Sequence, residues 1–545
     1  MVSSFKRIQK IDILFVLLCT LLLSIPASYE PHHIAKTLFF GAFIQSLAYS
    51  LILAFFASKW KIFKIVVFSV LYLLFSVETF TYIVFNSRFN PAILTLILQT
   101  SLKEISEFTS VYLLNWKVIF YVLLLIVLYA FILIVLEKYY RVVLRFGWKG
   151  IVIIVLYIVF GLSIPFISLP FPLGQNTINE LYVSGVFVAD NHSEIEGMKE
   201  MLENISITSA NDNAYPPVVV LVIGESFNKH HSSLYGYYLP TSPYLESEKK
   251  KSRLTVFTDA HTPTNGTSFA MKYIFTLKSC NDETDNKYII VPTVFKKAGY
   301  RVVYIDNQYT RSSSGELDYS CVYFLNPTRI NDSSFDYRND DTRPHDGEFI
   351  DDYGKYLLKE GKALNIIHLY GQHFDSKSRY PNESFSLFTA NDIQRSDLNE
   401  TERMIVAEYD NATLYNDYVL SKIINIFKES DAVIIYLSDH GEQIYDDKQH
   451  LLGRTFGSYK EPVTLKNVYE VPFMVWCSDT FKARHAEKYE AIKSSAAKKI
   501  CIDDVGYLML DLADIDFNYH RPGRSVINSN YISHKTIIDN NKWSP

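Results

Sequence analysis

The sequence predicts a chain in two parts: an N-terminal α-helical membrane domain and a C-terminal α/β domain built on a mostly parallel sheet. Three observations carry that prediction. The first third of the 545 residues holds five long apolar runs with few charges. From Val218 onward, strand-like runs alternate with helix-like ones, the pattern of a sheet covered by helices on both faces. Four of those strand-like runs end abruptly in polar residues, at the edge where open α/β sheets hold their ligands.

The apolar runs cover residues 11–27, 35–58, 62–86, 118–137 and 151–169. Each approaches the roughly 20 residues a helix needs to cross a bilayer. A cleaved signal peptide would account for the first run alone. Lys and Arg favour the cytoplasmic loops. Lys6, Arg7 and Lys10 precede the first run, and Lys59 and Lys61 separate the second and third. Lys138, Arg141, Arg145 and Lys149 lie between the fourth and fifth. The alternate loops carry little positive charge, so the N-terminus is expected in the cytoplasm. Five spans then put everything beyond residue 169 on the far side. Residues 91–116 fall on that outer side. They are apolar but broken by polar residues, and read as an interfacial helix rather than a sixth span.

Pro170, Pro172 and Gly174 end the last membrane helix, and NDNAYPP at 211–217 marks the next boundary. The expected organisation is a membrane domain over 1–170, a linker with short helices over 171–216, and a catalytic domain over 217–545. Net charge of -5 excludes a strongly basic nucleic-acid binder, so no nucleic-acid partner is expected. Five cysteines leave the redox compartment open; Cys280 and Cys321 are one conceivable pair.

The four strand ends carry the chemistry. VVVLVIGES ends in Glu225 and Ser226, RVVYIDNQ in Asp306 and Asn307, ALNIIHLYGQH in His373, and AVIIYLSDHGE in Asp439 and His440. One such ending is weak evidence, whereas four in one segment indicate a shared site. Glu225, Asp439 and His440 offer two oxygens and a nitrogen, which suit Zn²⁺ or Mn²⁺ better than Ca²⁺ with its all-oxygen shells. His373 and His450 add imidazoles in loops close behind predicted strands. For a nucleophile, AHTPTNGTSFAMKYIFTL supplies Thr262, Thr264, Thr267 and Ser268. Thr267 starts the following helix, where free N–H groups and the dipole favour an anion. A helix-capping role is the alternative for any of these hydroxyls.

The order GES…TNGTS…DNQ…GQH…YDNATLYNDYVL…SDHGE…H resembles the phosphoethanolamine transferases of Gram-negative envelopes, within the alkaline phosphatase and sulfatase superfamily. That resemblance implies a sulfatase-like C-terminal domain in the periplasm and five spans in the bacterial inner membrane. It implies zinc held by Glu225, Thr267, Asp439 and His440, with Thr267 also the residue that becomes phosphoethanolaminated. His373 and His450 match second-site or substrate-phosphate histidines able to protonate a leaving group, and Asn307 matches a phosphoethanolamine-binding position. The implied partners are phosphatidylethanolamine as donor, a lipopolysaccharide or lipooligosaccharide acceptor, and the bilayer. Ser101 departs from the Asn expected in the outer loop, while Glu107 fits. A lipoteichoic-acid-synthase-like glycerophosphate transferase and a non-catalytic membrane sensor are the competing readings. A sulfatase activity is disfavoured, because His261–Asn265 lacks the Cys or Ser of a formylglycine motif.

Overall fold

A computed structural model describes residues 9–29, 32–57, 61–85, 88–99, 109, 116–139, 143–163, 176–210, 216–281, 288–308, 320–448, 450–454, 462–533, 537–538 and 541–542. The chain divides into two compact units, Met1–Asp190 and a second made of Asn191–Arg454 with Tyr459–Pro545.

The first unit is helical: α1 (Ile13–Ser24), α2 (His32–Ala57), α3 (Lys61–Phe85), α4 (Pro91–Gln99), α5 (Trp116–Tyr139) and α6 (Trp148–Ser163). Among the described residues, three helices are long and apolar enough to cross a membrane, over Phe39–Phe56, Ile62–Val84 and Val118–Leu136. The first and last expected spans appear as shorter apolar helices, Ile13–Tyr29 and Trp148–Phe160. Asp12 caps α1, accepting from the Phe15 amide at 3.1 Å, and pairs with Lys64 at 2.7 Å. Glu78 is the carboxylate inside α3; it is buried and answered by Arg88 at 3.1 Å and the Phe89 amide at 3.1 Å. A carboxylate in an apolar helix needs such partners. Of residues 91–116, Pro91–Gln99 form the short apolar helix α4. Ser101 and Glu107 lie outside the described residues.

Where short linker helices are expected, the chain forms one helix of 28 residues, α7 (Thr177–Asn204). It contains no proline, and Gly185 and Gly197 are tolerable interruptions in a helix of that length.

The second unit is organised by a seven-stranded sheet. Its strands are β1 (Val218–Gly224), β2 (Leu254–Phe257), β4 (Arg301–Asp306), β5 (Tyr337–Arg338), β6 (Ala363–His368), β7 (Ala432–Ser438) and β8 (Phe473–Cys477). A short strand, β3 (Ala260–His261), pairs separately with β9 (Ile500–Cys501). The sheet order is β2-β8-β7-β1-β6-β4-β5. From β7 to β5 every pairing is parallel, while β8 runs antiparallel to both β7 and β2. The expectation of a mostly parallel sheet is met, with an antiparallel strand near one edge.

Alternation explains why the central strands read as continuous apolar runs. Val219, Leu221 and Ile223 enter one core, and Val218, Val220 and Val222 the other. Parallel strands covered on both faces have no polar side. One face is covered by α8 (Thr267–Phe275) through Ala270, Met271, Ile274 and Phe275. The other is covered by α10 (Glu400–Phe427) through Ala412, Val419, Leu420 and Ile423. Between them in sequence lies α9 (Asp346–Tyr353). A capping box starts α10: Asn399 accepts from the Glu402 amide at 3.0 Å, and Glu402 accepts from the Asn399 amide at 2.9 Å.

Candidate metal centre

Because β7, β1, β6 and β4 are neighbours and parallel, their C-terminal ends meet along one edge. The register sets Ser438 opposite Gly224, and His368 opposite both Ile223 and Asp306. Each strand hands its next residues to the same place. Glu225, Asp439 and His440 arrive there fully buried, with one ligand atom from each lying within 4.8 Å of the others.

The turn behind them is tight. The Gly441 amide donates to Val468 O at 2.7 Å, and a Cβ on Gly441 would stand 2.0 Å from Asn467 O. On the neighbouring strand end, Gly371 has φ +56 and presses on Glu225, whose amide nitrogen a Cβ would meet at 2.8 Å. Both positions need a residue without a side chain.

His440 Nδ1 donates to Gly441 O at 2.8 Å, which leaves Nε2 to face the carboxylates. Nε2 lies 3.0 Å from Asp439 Oδ2 and 3.2 Å from Glu225 Oε1. A backbone carbonyl on the far nitrogen is how a metal-ligating imidazole is usually oriented. Asp439 Oδ1 accepts from the Ser226 amide at 3.1 Å and the His440 amide at 2.7 Å, whereas its Oδ2 is buried without a hydrogen bond. Burial and the Arg454 charge push His440 down, yet Asp439 and Glu225 pull it up to about 9. Burial raises Glu225, but the charge and hydrogen bond of His440 hold it well below the usual carboxylate range. Burial and the nearby Glu225 push Asp439 up. Two carboxylates driven apart around one imidazole form a site that takes up either a proton or a divalent cation. The donor set of two carboxylate oxygens and one imidazole nitrogen fits zinc.

Thr267 is the first residue of α8, after Gly266 at the N-cap. Its Oγ1 donates to Glu225 Oε2 at 3.1 Å and stands 3.3 Å from His440 Nε2. Its rivals turn inward. Thr262 Oγ1 donates to Thr264 O at 3.0 Å, and Thr264 Oγ1 accepts from the Gly266 amide at 3.3 Å. Ser268 is buried one residue into the helix.

His373 is buried beside the cluster on the loop that packs against Glu225; the Gln372 amide donates to Glu225 O at 3.0 Å. Burial pushes the His373 imidazole down to about 3, against the opposing pull of Glu225. His450 stands apart from the cluster. Its imidazole is partly exposed and faces Asp397 at 3.6 Å. Asn307 is buried, but both ends of its amide are engaged away from the cluster. It donates to Asp346 Oδ1 at 2.8 Å and accepts from the Arg343 amide at 2.7 Å. Asp346 in turn accepts from the Tyr370 and Gly371 amides at 2.8 and 2.9 Å. Asn307 thus ties the β4 end to the loop that carries His373.

Two residues at the cluster were not assigned from sequence. Gln308, the last residue of the DNQ triplet, donates to Glu225 Oε2 at 3.3 Å and to Leu369 O at 2.8 Å. Its place two residues past the end of β4 was the signal for it. Arg454 lies 2.5 Å from His440 Nε2 and 2.8 Å from Asn265 O. Nothing in its spacing distinguishes it in the sequence. The YDNATLYNDYVL segment lies within α10, and its polar residues brace the loops behind the site. Tyr409 Oη donates to Ser226 O at 2.6 Å and accepts from the Asn228 amide at 2.7 Å.

Residues 217–515 match the family model described as Sulfatase. Phosphoethanolamine transferase EptC of Escherichia coli strain K12 is 30% identical over 337 residues, covering 61% of this chain and 56% of that protein. The chain thus spans little more than half the length of this curated relative. The crystal structure of the C-terminal periplasmic domain of EptC from Escherichia coli, in complex with zinc, is 27% identical with a TM-score of 0.52, covering 61% of this chain and 91% of that one. The integral membrane lipooligosaccharide phosphoethanolamine transferase A of Neisseria meningitidis aligns over 94% of this chain and 97% of its own, with a TM-score of 0.64. At 18% identity, that last likeness bears on the fold alone.

Proposed function

The chain belongs to the sulfatase family, and we propose that within it this protein transfers phosphoethanolamine from phosphatidylethanolamine to a lipopolysaccharide or lipooligosaccharide acceptor, by way of a phosphoethanolamine-Thr267 intermediate. One observation carries the reading: of the loop's threonines, Thr267 is the one whose hydroxyl reaches Glu225 and His440. Similarity to EptC, a phosphoethanolamine transferase whose periplasmic domain has been crystallised with zinc, supports both the transferred group and the metal.

The residues then take these roles. Glu225, Asp439 and His440 hold zinc together with Thr267. When bound, the ion polarises a phosphoryl oxygen and lowers the pKa of the Thr267 hydroxyl. Thr267 Oγ1 attacks the phosphorus of phosphatidylethanolamine, and the P–O bond to the glycerol breaks. The hydroxyl proton has an acceptor at hand in Glu225 Oε2, 3.1 Å away. The departing oxygen takes its proton from His450, the histidine that the resemblance sets at the substrate phosphate, and leaves as diacylglycerol. In the second half-reaction an acceptor oxygen attacks the same phosphorus, and Thr267 regains its proton as the bond to it breaks. Burial holds the His373 imidazole down at about 3, which makes it a weak base, so it would orient an incoming hydroxyl, whose proton returns to His450. His450 and Asn307 are assigned to substrate binding by resemblance; His450 takes that role by exchanging Asp397 for the substrate phosphate. The membrane unit and the periplasmic placement of the second unit fit a donor and an acceptor that are both lipids.

Purified protein incubated with phosphatidylethanolamine and no acceptor is expected to carry a phosphoethanolamine adduct on the Thr267 peptide. Thr267→Ala is expected to fold and transfer nothing, while Thr262→Ala and Thr264→Ala keep measurable transfer. An adduct on another residue, or near-normal turnover by Thr267→Ala, sinks the assignment. Mass spectrometry of lipid A and core oligosaccharide from cells with and without the gene identifies the acceptor.

A further inference from the structure

Away from the metal centre, the second unit brings together Cys280, Cys501 and Asp503, with one sulfur or oxygen from each lying within 4.8 Å of the others. Cys501 is buried and Cys280 partly exposed. The sequence offered Cys321 for Cys280; the structure sets Cys501 beside it. The two cysteines flank the nucleophile segment. Cys501 ends β9 and is in register with His261 of β3, the strand that leads into the Thr262–Gly266 loop. Cys280 follows α8 on the other side of Thr267. The Cys280 amide donates to Asp503 Oδ2 at 2.8 Å, which holds the Cys280 backbone against the β9 end.

We propose that Cys280 and Cys501 form a disulfide that closes a bracket around the segment carrying Thr267. A metal is the other ligand chemistry two thiols and a carboxylate offer, and two contacts argue against it here. The Asp503 oxygen that accepts from the Cys280 amide also lies 3.4 Å from the Arg524 guanidinium. Both contacts engage that oxygen, and a metal would have to displace them. The sulfurs are close enough that side-chain rotation and a small backbone adjustment bring them to bonding distance of about 2.05 Å. The partly exposed Cys280 thiol meets the oxidant first, and Cys501 resolves the mixed disulfide. Each thiol gives up one proton and one electron. A disulfide accepts both electrons and departs as two thiols; oxidised glutathione does so in vitro, and a disulfide-bearing oxidoreductase in cells. Persistence of the bond in cells rests on the reading that this unit faces the periplasm, an oxidising compartment.

The test uses the full-length chain. Purified protein is equilibrated with oxidised glutathione, alkylated, and digested with trypsin. The expected product is peptide 279–287 joined to peptide 500–524. Absence of that species, or a join from 279–287 to the Cys321 peptide 312–329, overturns the pairing. So does one equivalent of zinc that is lost specifically in the Cys280→Ser, Cys501→Ser double variant. Dithiothreitol is expected to lower the Tm of the oxidised wild type by roughly 5–10 °C and to leave the double variant unchanged. A reductant-insensitive wild type that does carry the bond overturns the bracing role. Protein trapped from cells with acid and a thiol-reactive mass tag should already carry the bond. Thiols that are free in cells yet join in vitro uphold the pairing and overturn the periplasmic placement.

Discussion

His440 commits its Nδ1 to a backbone carbonyl, so its Nε2 is the atom that meets Glu225, Asp439 and Thr267. Asp439 is the most exacting member of that group, because one oxygen holds two backbone amides while the other faces Nε2. Replacing it with Asn keeps the size but sets an amide where a negative oxygen is needed. Asp439→Asn is therefore expected to lose the tightly held zinc, about one per chain in the wild type, by metal analysis after dialysis. Gln308→Ala removes a hydrogen bond to a ligand rather than a ligand, and is expected to weaken zinc binding by about 10–100-fold. Full zinc and full activity in Asp439→Asn means the site is misassigned. Glu225, Asp439, His440 and Thr267 were legible in the sequence because each directly follows a strand or starts a helix. Arg454 was not, since it reaches His440 from a loop 14 residues further on, and only the folded path of that loop shows it. His450 looked equivalent to His373 by its position behind a strand. The fold separates them, burying one beside Glu225 and leaving the other at Asp397.

At the scale of elements, the four central strands β7, β1, β6 and β4 were legible from their first residues, because a parallel strand buried on both faces is an unbroken apolar run bounded by polar residues, whereas the shorter flanking strands β2, β5 and β8 were not read. The turns that aim those strand ends are governed by backbone space, which no periodicity reports. Gly441 is the sharpest case. A methyl group there would sit 2.0 Å from Asn467 O, and that oxygen belongs to backbone that cannot swing aside. Either the segment 467–468 shifts or the Asp439–Gly441 turn does. Gly441→Ala is expected to cost about 1–3 kcal/mol in chemical denaturation, the usual range for an overpacked site, and to lower zinc occupancy with it. Wild-type stability together with wild-type zinc content would show that the turn has slack that the structure does not contain. The linker was the element least legible in advance. Asn, Glu and Ser residues argued for short pieces, yet with no proline α7 runs unbroken for 28 residues.

At the scale of the whole chain, sidedness follows from counting, and counting is where the membrane sequence is most sensitive. Five apolar runs were expected; three of the described helices meet the length and composition of a span, and two shorter apolar helices fall where the first and last were expected. Short spans cross by local thinning or by help from flanking residues, so five remains the count that the loop charges lead us to expect. Lys10 precedes the first helix, Lys61 opens the third, and Lys138 and Lys149 lie between the fourth and fifth runs. All of these fall on the same side only if residues 91–116 do not cross. That segment begins as the nine-residue helix α4, too short to span about 30 Å of hydrocarbon by itself. A reporter that matures only in the periplasm, fused after Pro217, is accordingly expected to be active, and a reporter that matures only in the cytoplasm to be silent at the same junction. A fusion after residue 60 should give the opposite pair. If the Pro217 fusions reverse while those at residue 60 hold, a further crossing lies between the two junctions, and the segment 91–116 is where the charge pattern leaves room for it. Such a result would move the Thr267 site to the cytoplasmic face, away from any lipopolysaccharide acceptor exposed in the periplasm, so the same measurement bears directly on which acceptors the enzyme can meet.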